Sequence, residues 1–258
     1  MTGSICTAGF IPVRAHASET AEMVTQIVFG ETYEILQMEE KWARIRMDYD
    51  GYEGWIDAKM IVNLPERELD SWRNKEAWMV PSPLVKVISD HDKSSHTLTG
   101  GSRIVFNGSN INSFTINNCD YYLTGSATPA KKMPNIQEIA MNYLNTPYLW
   151  GGRTFYGIDC SGLVQMVYKI IGVQLPRDAS QQIEHGTTVE FVEETHTGDI
   201  AFFCDDNDII THVGICIGKG DIIHASGVVR IDKLDHQGIY NTQLKKYTHK
   251  LKLIKRVI

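Results

Sequence analysis

Three residues of this sequence have the types and settings that nucleophilic catalysis requires: Cys160, His212 and His224. Cys160 stands inside GIDCSGLVQMVYKIIGV, residues 157–173. Leu163, Val164, Val167, Ile170 and Ile171 recur there at helical spacing, which predicts an amphipathic helix whose first turn falls near Asp159 to Gly162. At a helix N-terminus the unpaired N–H groups and the positive end of the dipole favour a thiolate over a thiol. A small cysteine also packs well at a helix start, so the chemical reading needs partners. A thiol nucleophile needs a base within hydrogen-bond reach and a third group to orient that base. His212 opens the strand in THVGICIG and His224 closes the next one in DIIHASG. Neighbouring antiparallel strands bring such residues side by side, so the line Cys160–His212–His224 is geometrically reasonable.

The elements that must hold these residues follow from the patterning of the last half of the chain. NIQEIAMNYLNTPY reads as a helix ending before Pro147, and the helix of Cys160 comes next. GDIAFFC, THVGICIG, DIIHASG, VVRID and KLKLIKRVI then read as strands of one sheet. Helices ahead of an antiparallel sheet describe an α+β domain. Upstream, residues 11–63 alternate apolar and polar residues around turns at Phe29-Gly30-Glu31 and Asp50-Gly51, which predicts a small β-barrel. PERELDSWRNKEAW reads as a linker or a short helix. The stretch after it, with turns at Thr99-Gly100-Gly101 and Asn107-Gly108, reads as a second, diverged barrel. SATPAKKMP, residues 126–134, reads as a linker. The expected organisation is therefore three domains, 1–64, 65–128 and 129–258.

Composition narrows the field of partners. The chain has 258 residues, 43% of them hydrophobic and 22% charged, with a formal net charge of -6. That acidic balance and the lack of any basic stripe argue against nucleic acid or an anionic membrane as partner. No apolar run is long enough to span a bilayer, and no basic segment followed by an apolar run opens the sequence. The expectation is thus a cytoplasmic protein without a transmembrane segment, or a periplasmic or secreted one had a leader been removed. The five cysteines lack C-x-x-C spacing, which fits reduced thiols better than a disulfide framework or a structural metal site. No cofactor and no metal is expected.

Five stretches, PYLWGGRTFYGIDCSGLVQMVY, LPRDASQQ, TGDIAFF, THVGICIG and IIHASGVVRID, resemble in order and spacing the NlpC-type cell-wall cysteine peptidases. The 11–63 segment, with W-A-R-I-R and G-Y-E-G-W-I-D on successive strands, is similar to the bacterial SH3-like barrel. The resemblance implies a papain-like α+β catalytic domain preceded by two small SH3-like β-barrels. It implies Cys160 as nucleophile, His212 as general base, His224 as the residue orienting that base, and Tyr148 as the tyrosine whose hydroxyl helps to hold the oxyanion.

Two barrels ahead of such a domain resemble the branch that cleaves γ-D-glutamyl–L-diamino-acid bonds in murein peptides with a free N-terminal L-alanine. By that resemblance Asp178 meets the substrate amine, joined by Tyr52 of the first barrel; the spacing lets the family's second carboxylate fall on Glu22 or on Val24, and the latter would remove it. An ammonium buried without such partners would cost several kcal/mol. Trp150, Asp159 and Ser161 are then expected to line the cleft, with Ser161 facing the D-glutamyl carboxylate and Asp159 also serving as helix N-cap. Arg177 fits a structural ion pair. The chain departs from the family in carrying Ala179, then Ser180, where a serine directly follows the aspartate. Two other readings remain open: an amidase or acyltransferase on the same fold, and a non-catalytic binder of wall peptides.

Overall fold

The computed structural model describes residues 3–81, 83–108, 111–125, 127–129 and 135–258. The expected linker at 126–134 lies largely outside the described residues. The chain divides into two units: residues 1–132 together with 151–155, and residues 133–150 together with 156–258.

In the first unit, alternation does what period-two patterning demands. In Trp42–Met47 the side chains of Ala43, Ile45 and Met47 are buried, while Arg44 and Arg46 point outward to Glu53. This strand belongs to a six-stranded antiparallel sheet with Gly3–Ile5, Phe10–Arg14, Met23–Val28, Thr32–Met38 and Glu53–Asp57. Cys6, Ile11, Val13, Ile27, Tyr33 and Ile56 complete its core. The charged stretch that follows is a helix, α1 (Glu66–Asn74), which buries Leu69 and Trp72. Beyond it lie a four-stranded sheet (Leu84–Ser89, Ser95–Thr99, Ser113–Ile116, Cys119–Leu123) and a three-stranded one (Trp78–Met79, Arg103–Ile104, Thr128–Pro129). These later strands share one core with Ile5, Phe29 and Trp72, and the Trp72 indole N–H donates to Gly30 O at 2.9 Å.

The segment 151–155 is held in the first unit by a fully buried guanidinium. Arg153 pairs bidentately with Glu31, at 2.9 Å on both forks, and donates to Gln26 O. Glu31 also accepts from the Val28 N–H, so both ions are hydrogen-bonded as burial demands. Gly151, at φ +75°, is needed here, because a Cβ would stand 2.3 Å from Met23 O.

In the second unit, α2 (Ile136–Met141) is capped by Asn135, whose side chain accepts from the Gln137 and Glu138 N–H groups. The helix that begins at Cys160, α3 (Cys160–Ile170), is buried along its whole length, as a helix apolar on nearly all sides should be. A short α4 (Ala179–Gln182) follows. Seven antiparallel strands form the sheet, in the spatial order Thr187–Val189, Lys246–Arg256, Ile200–Cys204, Ile210–Gly218, Asp221–Ser226, Val228–Asp235 and Gly238–Asn241. The last strand in the chain also pairs with Gly238–Asn241. That extra pairing closes six of the strands on themselves, which removes their free edges. All five strands expected from the sequence are present, and Thr187–Val189 and Gly238–Asn241 are additional.

Removing the Glu31 carboxylate would leave the buried Arg153 without the carboxylate that pairs both its forks. Glu31→Ala is therefore expected to destabilise the protein by about 3–5 kcal/mol in urea unfolding. The exposed Lys93–Asp90 pair serves as a control whose loss should leave the midpoint in place.

Candidate active site

The site is built on one face of the sheet. Paired residues on antiparallel strands point to the same side. Phe203 pairs with His212, Gly214 with His224, and Ile222 with Asp232. The face that holds the apolar cluster of Phe203, Cys216, Ile222 and Leu234 thus carries His212, His224 and Asp232 further along. His212 and His224 are diagonal neighbours, since Gly214 and not His212 stands opposite His224. Gly214 lets the two rings meet: a Cβ there would lie 2.9 Å from His224 Cβ. With that space open, His212 Nε2 and His224 Nδ1 share a hydrogen bond of 2.8 Å.

Two residues that sequence reasoning missed extend this pair. Asp232 Oδ2 lies 3.1 Å from His224 Nε2 and accepts from Arg230 Nε at 2.8 Å, while Oδ1 accepts from Arg230 Nη2 at 3.0 Å. His249, on the closing strand, stacks on His212 with ring centroids 4.1 Å apart and an angle of 24°. The signal for His249 was its period-two spacing from Leu251 and Leu253. The signal for Asp232 was masked, because in VVRIDKLD the apolar Ile231 is exposed and Asp232 is buried. The nitrogens of His212, His224 and His249 lie within 4.8 Å of one another, close enough to be considered as metal ligands. Two of them already face each other in a hydrogen bond, and the third ring lies flat on its neighbour. The arrangement is that of a proton relay, since metal ligation needs converging lone pairs.

Cys160 begins α3, capped by Asp159, whose Oδ1 accepts from the Gly162 N–H at 2.7 Å. Arg177, 2% exposed, holds both Asp159 oxygens and donates to Ser161 Oγ at 2.8 Å. The Ser161 hydroxyl in turn donates to Asp159. Asp159 and Ser161 are buried beside Cys160, with their side chains tied to each other and to Arg177. Arg177 is the structural ion-pair partner its setting predicts. Gln182 Nε2 donates to the carbonyls of Ser161 and Pro176, which ties α4 to the start of α3.

Tyr148 is placed by its backbone. Its N–H donates to Gly227 O, and it bridges to Ile158, two residues before Cys160. Its phenol is raised to about 12, by burial first and then by the nearby Cys160 and Asp159. Trp150, 61% exposed, follows in the same loop. Asp178 is half-buried and precedes α4 as its N-cap residue, with its carbonyl accepting from the Gln181 and Gln182 N–H groups. Glu22 and Tyr52 belong to the first unit. Glu22 is exposed and its carbonyl closes the turn from Ala15, while Tyr52 follows the Asp50 turn and packs on the first core.

The electrostatics correct one expectation. The helix start was expected to favour a thiolate, but burial, then the Asp159 carboxylate, push the Cys160 thiol up to about 11. The backbone groups of Val213 and Ser161 and the Arg177 charge act in the opposite direction and do not prevail. Burial first, then His249 and His224, hold His212 well below the usual histidine value. His249 is likewise lowered, to about 4. Both shifts favour the uncharged forms, a thiol on Cys160 and an imidazole on His212.

Residues 145–248 match the NlpC/P60 family, and residues 13–61 match the bacterial dipeptidyl-peptidase SH3 domain. The γ-D-glutamyl-L-lysine dipeptidyl-peptidase of Bacillus cereus is 22% identical over 227 residues, covering 79% of this chain and 67% of that protein. Dipeptidyl-peptidase 6 of Lysinibacillus sphaericus is 27% identical over 247 residues, covering 84% and 86%. Among solved structures, an NlpC/P60 family protein from Bacillus cereus superposes with a TM-score of 0.85 at 18% identity, covering 99% of each chain. An NlpC/P60 endopeptidase from Photobacterium damselae gives 0.70 at 15% identity, covering 97% of this chain and 70% of that one. These likenesses show the fold.

A neutral resting thiol has a direct consequence for its reactivity. Alkylation of Cys160 by iodoacetamide, followed by peptide mass spectrometry, should be slow at neutral pH. Its rate should climb by about tenfold per pH unit toward pH 11. A fast, pH-independent rate from mildly acidic pH upward would mean a standing thiolate–imidazolium pair instead.

Proposed function

For a chain that carries an NlpC/P60 domain behind a bacterial dipeptidyl-peptidase SH3 domain, we propose the function of a cysteine peptidase. The bond it hydrolyses is the γ-D-glutamyl–L-diamino-acid bond of murein peptides with a free N-terminal L-alanine. The observation that carries this reading is the His212–His224 hydrogen bond beside Val213, whose backbone reaches the Cys160 sulfur. A nucleophile at the start of a buried helix, with its base on an antiparallel sheet, supports a papain-like catalytic domain. The γ-D-glutamyl-L-lysine dipeptidyl-peptidase among the relatives supports the γ-D-glutamyl bond of this reading.

His212 has one nitrogen engaged with His224, which leaves Nδ1 to take the Cys160 proton. The sulfur attacks the amide carbon, and a tetrahedral oxyanion forms. The Tyr148 hydroxyl and backbone N–H groups at the start of α3 are the donors assigned to that oxygen. His212 returns the proton to the leaving amine, and the γ-glutamyl group remains on Cys160 as a thioester. Water, activated by the same imidazole, then releases the L-Ala-D-Glu dipeptide. Asp178 is the carboxylate assigned to the free amine of the substrate, since a buried ammonium must find a counter-charge.

Mass spectrometry of L-Ala-γ-D-Glu-L-diamino-acid tripeptide after incubation with the protein tests this reading. Release of L-Ala-D-Glu from the free peptide, loss of release in Cys160→Ala, and resistance of the N-acetylated peptide are expected. Asp178→Asn should lower kcat/KM for the free peptide by about 100-fold, the scale of an unpaired buried charge. Equal cleavage of the acetylated peptide would remove the role of Asp178. No cleavage of either peptide would favour an amidase or acyltransferase.

A further inference from the structure

Asp232 lies two strands away from His212 and cannot reach a substrate through the two imidazoles, yet it is 4% exposed and fully engaged. Its oxygens receive the fork of Arg230, which stands directly opposite His224 in the register. The same Oδ2 lies 3.1 Å from His224 Nε2. A carboxylate can only accept hydrogen bonds, and a neutral imidazole carries one N–H and one lone pair. With both rings in the neutral form, those two facts fix the position of every proton in the line.

We propose that Asp232, fixed by Arg230, is a positioning residue that sets the tautomers of both histidines. His224 must carry its proton on Nε2, where it donates to Asp232. Its Nδ1 is then a bare acceptor, so the 2.8 Å contact with His212 is a bond donated by His212 Nε2–H. One neutral imidazole has one proton, and His212 is left with an open lone pair on Nδ1, the atom that must take the Cys160 proton. With no carboxylate at 232, His224 is free to hold its proton on Nδ1, where it donates to His212 Nε2. That tautomer leaves His212 with its proton on Nδ1 and no base toward the thiol.

When His212 gains the thiol proton in the reaction, the positive charge spreads along a line that ends on an anion. No proton has to pass to Asp232. Burial would raise its carboxyl, but the hydrogen bonds to His224 and Arg230 outweigh that and hold it low. The other ionisable groups facing the line are His249, stacked on His212 and 5.7 Å from His224, and Cys160 with its neighbour Asp159. All of them remain in place in an Asp232 variant, so a change in the tautomers can be assigned to the carboxylate.

The inference rests on the peptidase reading above, and its test has an arm that needs no substrate. Nitrogen-detected NMR of the full chain, labelled at histidine, reads the protonated nitrogen of each ring. The wild type should show Nε2–H on both His212 and His224, and Asp232→Asn should lose that single pattern. An amide cannot accept from His224 and both Arg230 donors at once, so mixed or inverted tautomers are expected. On the tripeptide, Asp232→Asn should lower kcat by about 10²–10⁴-fold with KM within a few-fold of wild type, the scale of a lost orienting carboxylate. Arg230→Lys, which keeps the charge without the fork, should fall between the two.

A wild-type spectrum with Nδ1–H on His224 would overturn the proposal. So would an Asp232→Asn protein with wild-type kcat and wild-type tautomers. Should the wild type prove inactive on the tripeptide, the substrate assignment fails while the spectra still decide the relay. Should the variant fail to fold, the wild-type tautomers decide it alone.

Discussion

A single hydrogen bond between two buried imidazoles, His212 Nε2 to His224 Nδ1, is the contact on which the arrangement of the second unit depends. It is a diagonal contact across two strands, a separation that aromatic rings such as imidazole can span. Gly214 opens the space between them, and the strand register fixes which residues are diagonal. Closure of the sheet by Lys246–Arg256 brings His249 over the same ring. A shift of one residue in any of these strands would turn a histidine to the opposite face.

Burial shapes the chemistry as much as geometry does. Water is kept from Cys160, His212 and Asp232, so each ionisable group is neutral or has a committed partner. Asp159 answers to Arg177 and to the helix N-terminus, and Asp232 answers to Arg230 and His224. The Cys160 thiol and the His212 imidazole are both pushed toward their uncharged forms, chiefly by burial. In these uncharged forms Cys160 and His212 make no ion pair with each other. In the proposed mechanism charge develops when the substrate carbon accepts the sulfur, and fixed N–H groups are then worth more than they would be in water. The same principle of paired burial recurs in the first unit, where Arg153 and Glu31 hold each other without solvent.

Much of this was legible in the sequence where the pattern and the chemistry agreed. The α3 helix was readable because its apolar residues keep one period, and Cys160 stood out because it opens that helix. His212 and His224 could be paired because each ends an apolar strand. Asp232 was hidden, because alternation assigns Ile231 to the core and the structure buries the aspartate instead. His249 sits in a lysine-rich strand whose role is only evident once the sheet is seen to close. The thiolate expected at Cys160 did not survive, because the dipole argument treats the helix end as open. Here the end is already occupied by Asp159, and the sulfur is buried.

Proton transfer during sulfur attack is the central claim, and the solvent deuterium isotope effect on kcat/KM for a cleavable peptide measures it most directly. A neutral thiol–imidazole pair moves its proton as the carbon–sulfur bond forms, so a normal effect is predicted, with activity persisting well below the ordinary histidine pKa. An absent or inverse effect, with an acid limb near that ordinary value, would contradict the account, because it would place the proton on His212 before the substrate arrives.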